Sequence, residues 1–174
     1  EYFKPMKIGE KLLIRPLWID DYDAEGRAVL SIEPGLAFGS GGHNTTRLCL
    51  ETLEKHVKSG DSVLDCGCGS GILSIAMAKL GLNVSACDTD ELAVQSSLEN
   101  AQKNNIAIDK IWTGSITNSN ESYDIVVANI IADVILFLTN DLKSKVKTGG
   151  LLILSGILTK YKSRIIDAFS QFEL

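Results

Sequence analysis

Asp65-Cys66-Gly67-Cys68-Gly69-Ser70-Gly71 sets an acid and three alternating glycines between the apolar run Val63-Leu64 and a helical pattern opening with Ile72-Leu73. This reads as a strand turning tightly into a helix, where the missing Cβ atoms let a ligand press against bare backbone. The unpaired N–H groups and partial positive charge of a helix N-terminus suit a carboxylate or a phosphate. Asp65, Gly67, Gly69 and Gly71 are therefore candidate ligand contacts. About twenty residues further on, the interval of one βαβ unit, a second short run, Leu82-Asn83-Val84-Ser85-Ala86-Cys87, ends at Asp88. A carboxylate at that strand tip can accept both hydroxyls of an adenosine ribose, so loop and acid together predict a nucleotide site. Which nucleotide it takes is left open. The spacing is one residue tighter than the dinucleotide fingerprint G-x-G-x-x-G, and Ile72 stands where that fingerprint has its third glycine.

Asn129 ends a continuous apolar run, Tyr123-Asp124-Ile125-Val126-Val127-Ala128. Its uncharged amide offers an acceptor oxygen and two donors. It can accept hydrogen bonds from an amine nucleophile and orient the lone pair toward a methyl group; as a purely structural residue it would cap the next helix. A hydride-transfer enzyme has no evident use for it there, which favours methyl transfer over an NAD(P)-binding domain. Ser115 follows the short strand Ile111-Trp112-Thr113 and faces the same edge. Upstream, residues 33–46 carry four glycines, the lone Phe38 and a hydroxyl-rich end, the composition of a loop that folds over something. Asn44 is placed to N-cap the following helix, on which Leu50, Leu53 and Val57 share a face. Thr46 becomes a ligand contact if the first helical turn faces the cofactor. His43 reads as a capping or hydrogen-bonding residue rather than a base.

Those groups need a scaffold. The chain has 174 residues, 45% of them hydrophobic, enough for the core of one domain. A net charge of −5 provides no general attraction to nucleic acid. No apolar run approaches the roughly twenty residues of a membrane span, and no signal-peptide pattern is present. The four cysteines, at 49, 66, 68 and 87, match no zinc spacing, and with only His43 and His56 no metal site is expected. They read as small hydrophobes of a reducing cytosol.

Residues 11–19 and 27–32 read as two strands paired in a hairpin across the acidic turn 20–26. Helices are expected over 70–80, after the cap Asp90 with Val94, Leu98 and Ala101 on one face, and after Asn129 with Ile131, Ile135, Leu138 and Leu142 on one stripe. Gly149-Gly150 starts a strand over 151–155, and a last helix covers about 159–170. Strands alternate with helices at least four times, which predicts an α/β fold: a Rossmann-like, doubly wound, mainly parallel sheet with an N-terminal β-hairpin. Its ligand site lies at the carboxyl ends of the strands, where the loops after Cys66, Asp88, Thr113 and Asn129 all open.

The tight G-x-G-x-G loop is the form found in S-adenosylmethionine enzymes, and a longer set of residues carries a sharper resemblance. The segment from Pro34 to Leu50, with Leu64–Leu73, Val127-Ala128-Asn129-Ile130 and Leu152–Leu158, resembles the signatures of PrmA-type ribosomal protein methyltransferases. The resemblance runs from about Tyr2 to Leu158. It implies the class I methyltransferase fold, a cytoplasmic enzyme, S-adenosyl-L-methionine as cofactor, and amino groups of a protein in the stalk base of the large ribosomal subunit as acceptors. Thr46, Gly67, Asp88 and Asn129 match the family's cofactor-contacting positions. Phe38 and the glycines around it match the loop over the methyl donor, with Ser40 in place of the more usual Thr. The family also carries a small N-terminal recognition domain. Residues 1–32 are accordingly expected to be a linker and hairpin left from its connection, and 33–174 the cofactor-binding domain, ending before the closing antiparallel strands. Other acceptors for the same chemistry, and a non-catalytic module that binds protein or RNA, are the alternatives. No general base stands out, so positioning by Asn129 is expected to carry catalysis.

Overall fold

The computed structural model describes residues 4–33 and the backbone of 42–174, with side chains from residue 44 onward. Phe38, Ser40 and the His43 side chain lie outside the described residues.

Three short strands come first: β1 (Met6–Ile8), β2 (Leu12–Pro16) and β3 (Ala28–Ile32). The N-terminal hairpin is formed by β1 and β2, which run antiparallel with Met6 opposite Ile14. The pairing expected between 11–19 and 27–32 is corrected by the register: β3 lies parallel to β2, with Leu12 beside Ala28 and Pro16 beside Ile32. The segment 20–26 is therefore a crossover between parallel strands and not a hairpin turn, although it closes in a tight turn where Arg27 N–H donates to Ala24 O at 2.9 Å. The physical reason is apolar burial. In this arrangement Ile8, Leu12, Ile14, Leu30 and Ile32 share one buried cluster with Leu50, Leu53 and Ile75 of the main domain.

Helix α1 spans Gly42–His56, so Asn44 sits inside its first turn and not at its cap. The main sheet then builds outward: β4 (Ser62–Cys66), α2 (Ile72–Lys79), β5 (Asn83–Asp88), α3 (Glu91–Lys103), β6 (Lys110–Thr113), β7 (Tyr123–Asn129), α4 (Ala132–Phe137), α5 (Thr139–Lys145), β8 (Val146–Ser155) and α6 (Lys162–Ala168). The strand order is β6-β5-β4-β7-β8, every neighbour parallel. After β4 the chain winds first to one side and then to the other, leaving the crevice of a doubly wound sheet at the strands' carboxyl ends.

Alternate residues of each central strand feed opposite faces. Val63, Ile125 and Val127 belong to the cluster under α1 and α2, whereas Leu64, Val126 and Ala128 pack with Ile135, Leu142 and Ile165 on the far side. A strand covered on both faces must be apolar throughout, which is why β7 reads as an uninterrupted run. The stripe expected on one helix after Asn129 is divided between α4 and α5. Thr139 causes the break: its hydroxyl donates to Leu136 O at 2.8 Å and to Ile135 O at 3.3 Å, competing with the helical ladder. The last helical segment is likewise shorter than expected, a 3₁₀ turn over Thr159–Tyr161 followed by α6. Among the described residues, no helix is long and apolar enough to cross a membrane.

Candidate ligand site

Asp65 is the last residue but one of β4 and is 1% exposed. Its Oδ2 accepts the Ser74 hydroxyl at 2.6 Å, and the Ser74 backbone N–H also donates to the carboxylate. The acid thus satisfies an orphan donor in the first turn of α2 from beneath, and it does not line the cavity described below. Burial pushes its pKa up to about 6; the Ser74 hydrogen bonds oppose the shift and the nearby Asp88 charge adds to it. Because the folded-state pKa is raised, the folded chain holds this proton after the unfolded chain has lost it. The resulting stabilisation is present at low pH and is lost as pH rises through about 4 to 6. Asp65→Asn is expected to remove that dependence. Relative to the unaltered chain, its unfolding free energy should gain about 2 kcal/mol between about pH 4 and pH 7. Denaturant titrations at the two pH values check this; an unchanged difference would disprove it.

Beyond Asp65 the loop turns through left-handed backbone. At Gly67, φ is +77°, and a Cβ would lie 2.5 Å from Ile130 Cγ2, so only glycine lets the loop close against the segment after β7. The Gly67 and Cys68 amides donate to Cys87 O at 2.9 and 3.0 Å, and Gly71 N–H donates to Cys68 O at 2.8 Å. Gly69 N–H donates to Asp88 Oδ2 at 3.0 Å. These four N–H groups are turned onto protein acceptors, so the loop offers close approach more than an anion cradle. A pyrophosphate would want those donors free. Among the described residues nothing lies within 4 Å of where a Gly69 Cβ would stand.

Asp88, at the tip of β5, is held by two amides: Gly69 on Oδ2 and Asp90 on Oδ1, each at 3.0 Å. Each carboxylate oxygen keeps a further lone pair, enough to accept a pair of hydroxyls. Next to it α3 begins, capped by Asp90 accepting from Leu92 N–H at 3.0 Å.

Gly67, Asp88 and Ser115 line one cavity of about 550 Å³ at the carboxyl edge. Its floor is Cys66 and Cys87, and its far wall is Ile130, Val134, Phe137 and Leu138. Ser115 caps a 3₁₀ turn, its N–H donating to Asn118 Oδ1 at 2.9 Å. The four cysteines are reduced and buried. A hydrogen bond with Cys87, together with burial, raises the Cys66 pKa, and burial pushes Cys68 up to about 12. These two thiols stay protonated at neutral pH and serve as apolar surface, not as nucleophiles.

The remaining expected residues sit around this centre. Thr46 is 3% exposed within α1 and is not part of the cavity wall. Gly71 lies behind the loop against Ser97. Asn129 ends the neighbouring strand, in register with Ser155. Gly156 approaches it so closely that a Cβ there would lie 3.1 Å from Asn129 Oδ1. The apolar cavity wall from α4 was not expected from sequence because Leu138 has the spacing of a core stripe. Phe137, 85% exposed, was the available signal: a large aromatic residue off that stripe. A second hollow of about 420 Å³ lies at the opposite sheet edge. Its lysines are already paired, Lys110 with Glu121 at 2.6 Å and Lys147 with Asp124 at 3.4 Å.

The chain is similar in sequence and fold to known proteins. The family described as Ribosomal protein L11 methyltransferase (PrmA) matches residues 1–174. The ribosomal protein L11 methyltransferase of Campylobacter concisus is 59% identical over 176 residues, covering 100% of this chain and 63% of the relative. That of Nitratiruptor sp. is 47% identical, covering 95% of this chain and 58% of the relative. The chain thus spans less than two thirds of the length of these relatives. Among solved structures, the ribosomal protein L11 methylase of Lactobacillus delbrueckii subsp. bulgaricus superposes with a TM-score of 0.88 at 30% identity, covering 98% of this chain and 88% of that one. A precorrin 8w decarboxylase from Methanobacterium thermoautotrophicum superposes at 0.60 with 21% identity, covering 71% and 68%, a likeness of fold alone.

Proposed function

The chain belongs to the ribosomal protein L11 methyltransferase (PrmA) family, and from that premise we propose that it binds S-adenosyl-L-methionine and transfers methyl groups to amino groups of ribosomal protein L11. Lysine side chains and the N-terminal amine are the acceptors in this reading, and the cytoplasm is where they would be met. The observation that supports it most is the joining of loop and acid at one cavity, through the 3.0 Å bond from Gly69 N–H to Asp88 Oδ2.

The residues present fit such a cofactor. Asp88 has lone pairs for ribose hydroxyls, Ser115 adds a hydroxyl to a mainly apolar slot walled by α4, and among the described residues nothing fills the space that a Gly69 side chain would take. Thr46, Asp65, Gly71 and Phe38 are proposed to belong to the same site, Asp65 and Gly71 by holding the loop from behind. When bound, the cofactor supplies an electrophilic methyl group on a sulfonium. What the chain contributes is position. Asn129 is proposed to take hydrogen bonds from the acceptor amine and hold its lone pair in line, because holding two reactants near contact removes much of the barrier. A free lysine has a pKa of about 10.4, and an apolar wall such as that of α4 lowers it by disfavouring the ammonium form.

Calorimetric titration with S-adenosylhomocysteine and, separately, with NAD tests the proposal. The first should bind and the second should not. Asp88→Ala should weaken the first by about tenfold to a hundredfold, the worth of hydrogen bonds to a charged acceptor. Binding of NAD alone would overturn the reading. Methyl transfer to purified ribosomal protein L11, followed by mass spectrometry, tests the acceptor.

A further inference from the structure

Three polar side chains on α3 and at its C-terminal end, Ser97, Asn100 and Asn104, follow one another at helical spacing and so share a face. Asn100 and Asn104 spend their hydrogen bonds on backbone, and the Ser97 hydroxyl lies within reach of the Gly69 carbonyl and, at 3.4 Å, of Cys68 Sγ. Ser97 Oγ donates to Gly69 O at 2.9 Å, and Asn100 Nδ2 donates to Ser70 O at 2.9 Å. Asn104 Oδ1 accepts from Ser31 N–H at 2.7 Å, while its Nδ2 donates to Ser31 O at 2.9 Å and to Asn100 O at 2.8 Å. The Asn104 amide therefore pairs with both backbone groups of Ser31, as a fourth strand would, at the free edge of the sheet β1-β2-β3. It is 5% exposed with both donors satisfied, and a Leu or Ala in its place would strand the Ser31 groups.

We infer that Asn104 is a positioning residue for the glycine loop. It fixes the end of α3 to β3, and α3 in turn holds the Gly69 and Ser70 carbonyls through Ser97 and Asn100. The N-terminal sheet thereby sets where the loop stands, over a path made wholly of hydrogen bonds and one helix. The consequence for ligand affinity rests on the loop being the cofactor's, as proposed above; the consequence for the loop's own order does not.

The test separates the two. Amide hydrogen exchange is measured on Asn104→Ala and on Glu54→Ala. The latter also loosens the N-terminal sheet, because Glu54 accepts from Glu10 N–H at 2.6 Å, but it has no hydrogen bond to α3. Asn104→Ala should raise exchange at Gly69 and Gly71, whose N–H groups are hydrogen-bonded, while that of Val126 and Val127 in β7 stays slow; Glu54→Ala should leave the loop protected. Binding of S-adenosylhomocysteine should weaken about five- to thirtyfold in Asn104→Ala only, the factor carried by one or two kcal/mol. Equal loop exchange in the two variants would overturn the inference. Should Asn104→Ala not fold, Asn100→Ala, which leaves both bonds between Asn104 and Ser31 in place, should show the same loop exchange, and a protected loop there would overturn it too. If the unaltered chain fails to bind the ligand, the functional proposal fails, and the exchange data still decide this one.

Discussion

Asn129→Ala is expected to lower turnover about a hundredfold while the affinity for S-adenosylhomocysteine changes by no more than about threefold, since a misplaced reactant costs rate far more than binding. The asymmetry follows from where the residue stands. β7 is clamped between β4 and β8 and covered on both faces, so its end is as rigid as any point in the fold. Its partner Ser155 and the close approach of Gly156 confine the amide further. The cavity wall that should receive the cofactor begins one residue later, at Ile130. A side chain beside that wall, yet outside it, can orient an incoming amine without carrying much of the cofactor's binding energy. Single-turnover methyl transfer compared with calorimetry reads the two quantities separately. Equal losses in both would remove Asn129 from the reaction and leave it a structural residue at a strand end.

Gly71→Ala should cost about 3 kcal/mol of stability and abolish ligand binding at ordinary concentrations. Two penalties coincide there. The backbone is left-handed, φ +85°, which costs any L side chain about 1–3 kcal/mol. The added Cβ would also lie 2.9 Å from Ser97 Cα, a backbone atom of α3 that cannot swing aside; overpacking of this kind costs about another 1–3 kcal/mol. Relief would require α2 and α3 to part, moving the loop between them. Gly69→Ala provides the comparison. Its φ of +53° is also left-handed, but none of the described residues lies within 4 Å of the added Cβ, so the backbone penalty is the one expected. If denaturant unfolding finds the two variants equally stable, close packing of Gly71 against Ser97 is not what requires glycine there.

The site was legible in sequence to the extent that chemistry is local. The acid at 65, the three glycines and the second acid at 88 stand in a fixed order dictated by one βαβ unit, and the structure brings loop and acid together through Gly69 and Asp88. Orientation was not legible. Asp65 and Asp88 both follow short apolar runs and look equivalent as text, yet Asp65, one residue before the end of β4, is sealed under α2 and Asp88, at the tip of β5, lines the cavity. Which way a strand-end side chain points depends on the pleat and on what packs above it, and neither is written in the neighbouring residues.

Alternation of apolar runs with helical patterns by itself determined the α/β class, the buried character of β7 and the edge on which the loops gather, because burial on two faces and a helical period each leave a residue-by-residue trace. The tertiary structure alone decided three other things. It set β3 parallel to β2, since pairing direction depends on where a distant core offers apolar surface and not on the acidic crossover between the strands. It broke the stripe after Asn129 into α4 and α5, turning Val134 and Phe137 toward the cavity. And it linked Ser31 to the glycine loop through Asn104, Asn100 and Ser97, partners up to 73 residues apart whose complementarity exists only once α3 has been laid between them.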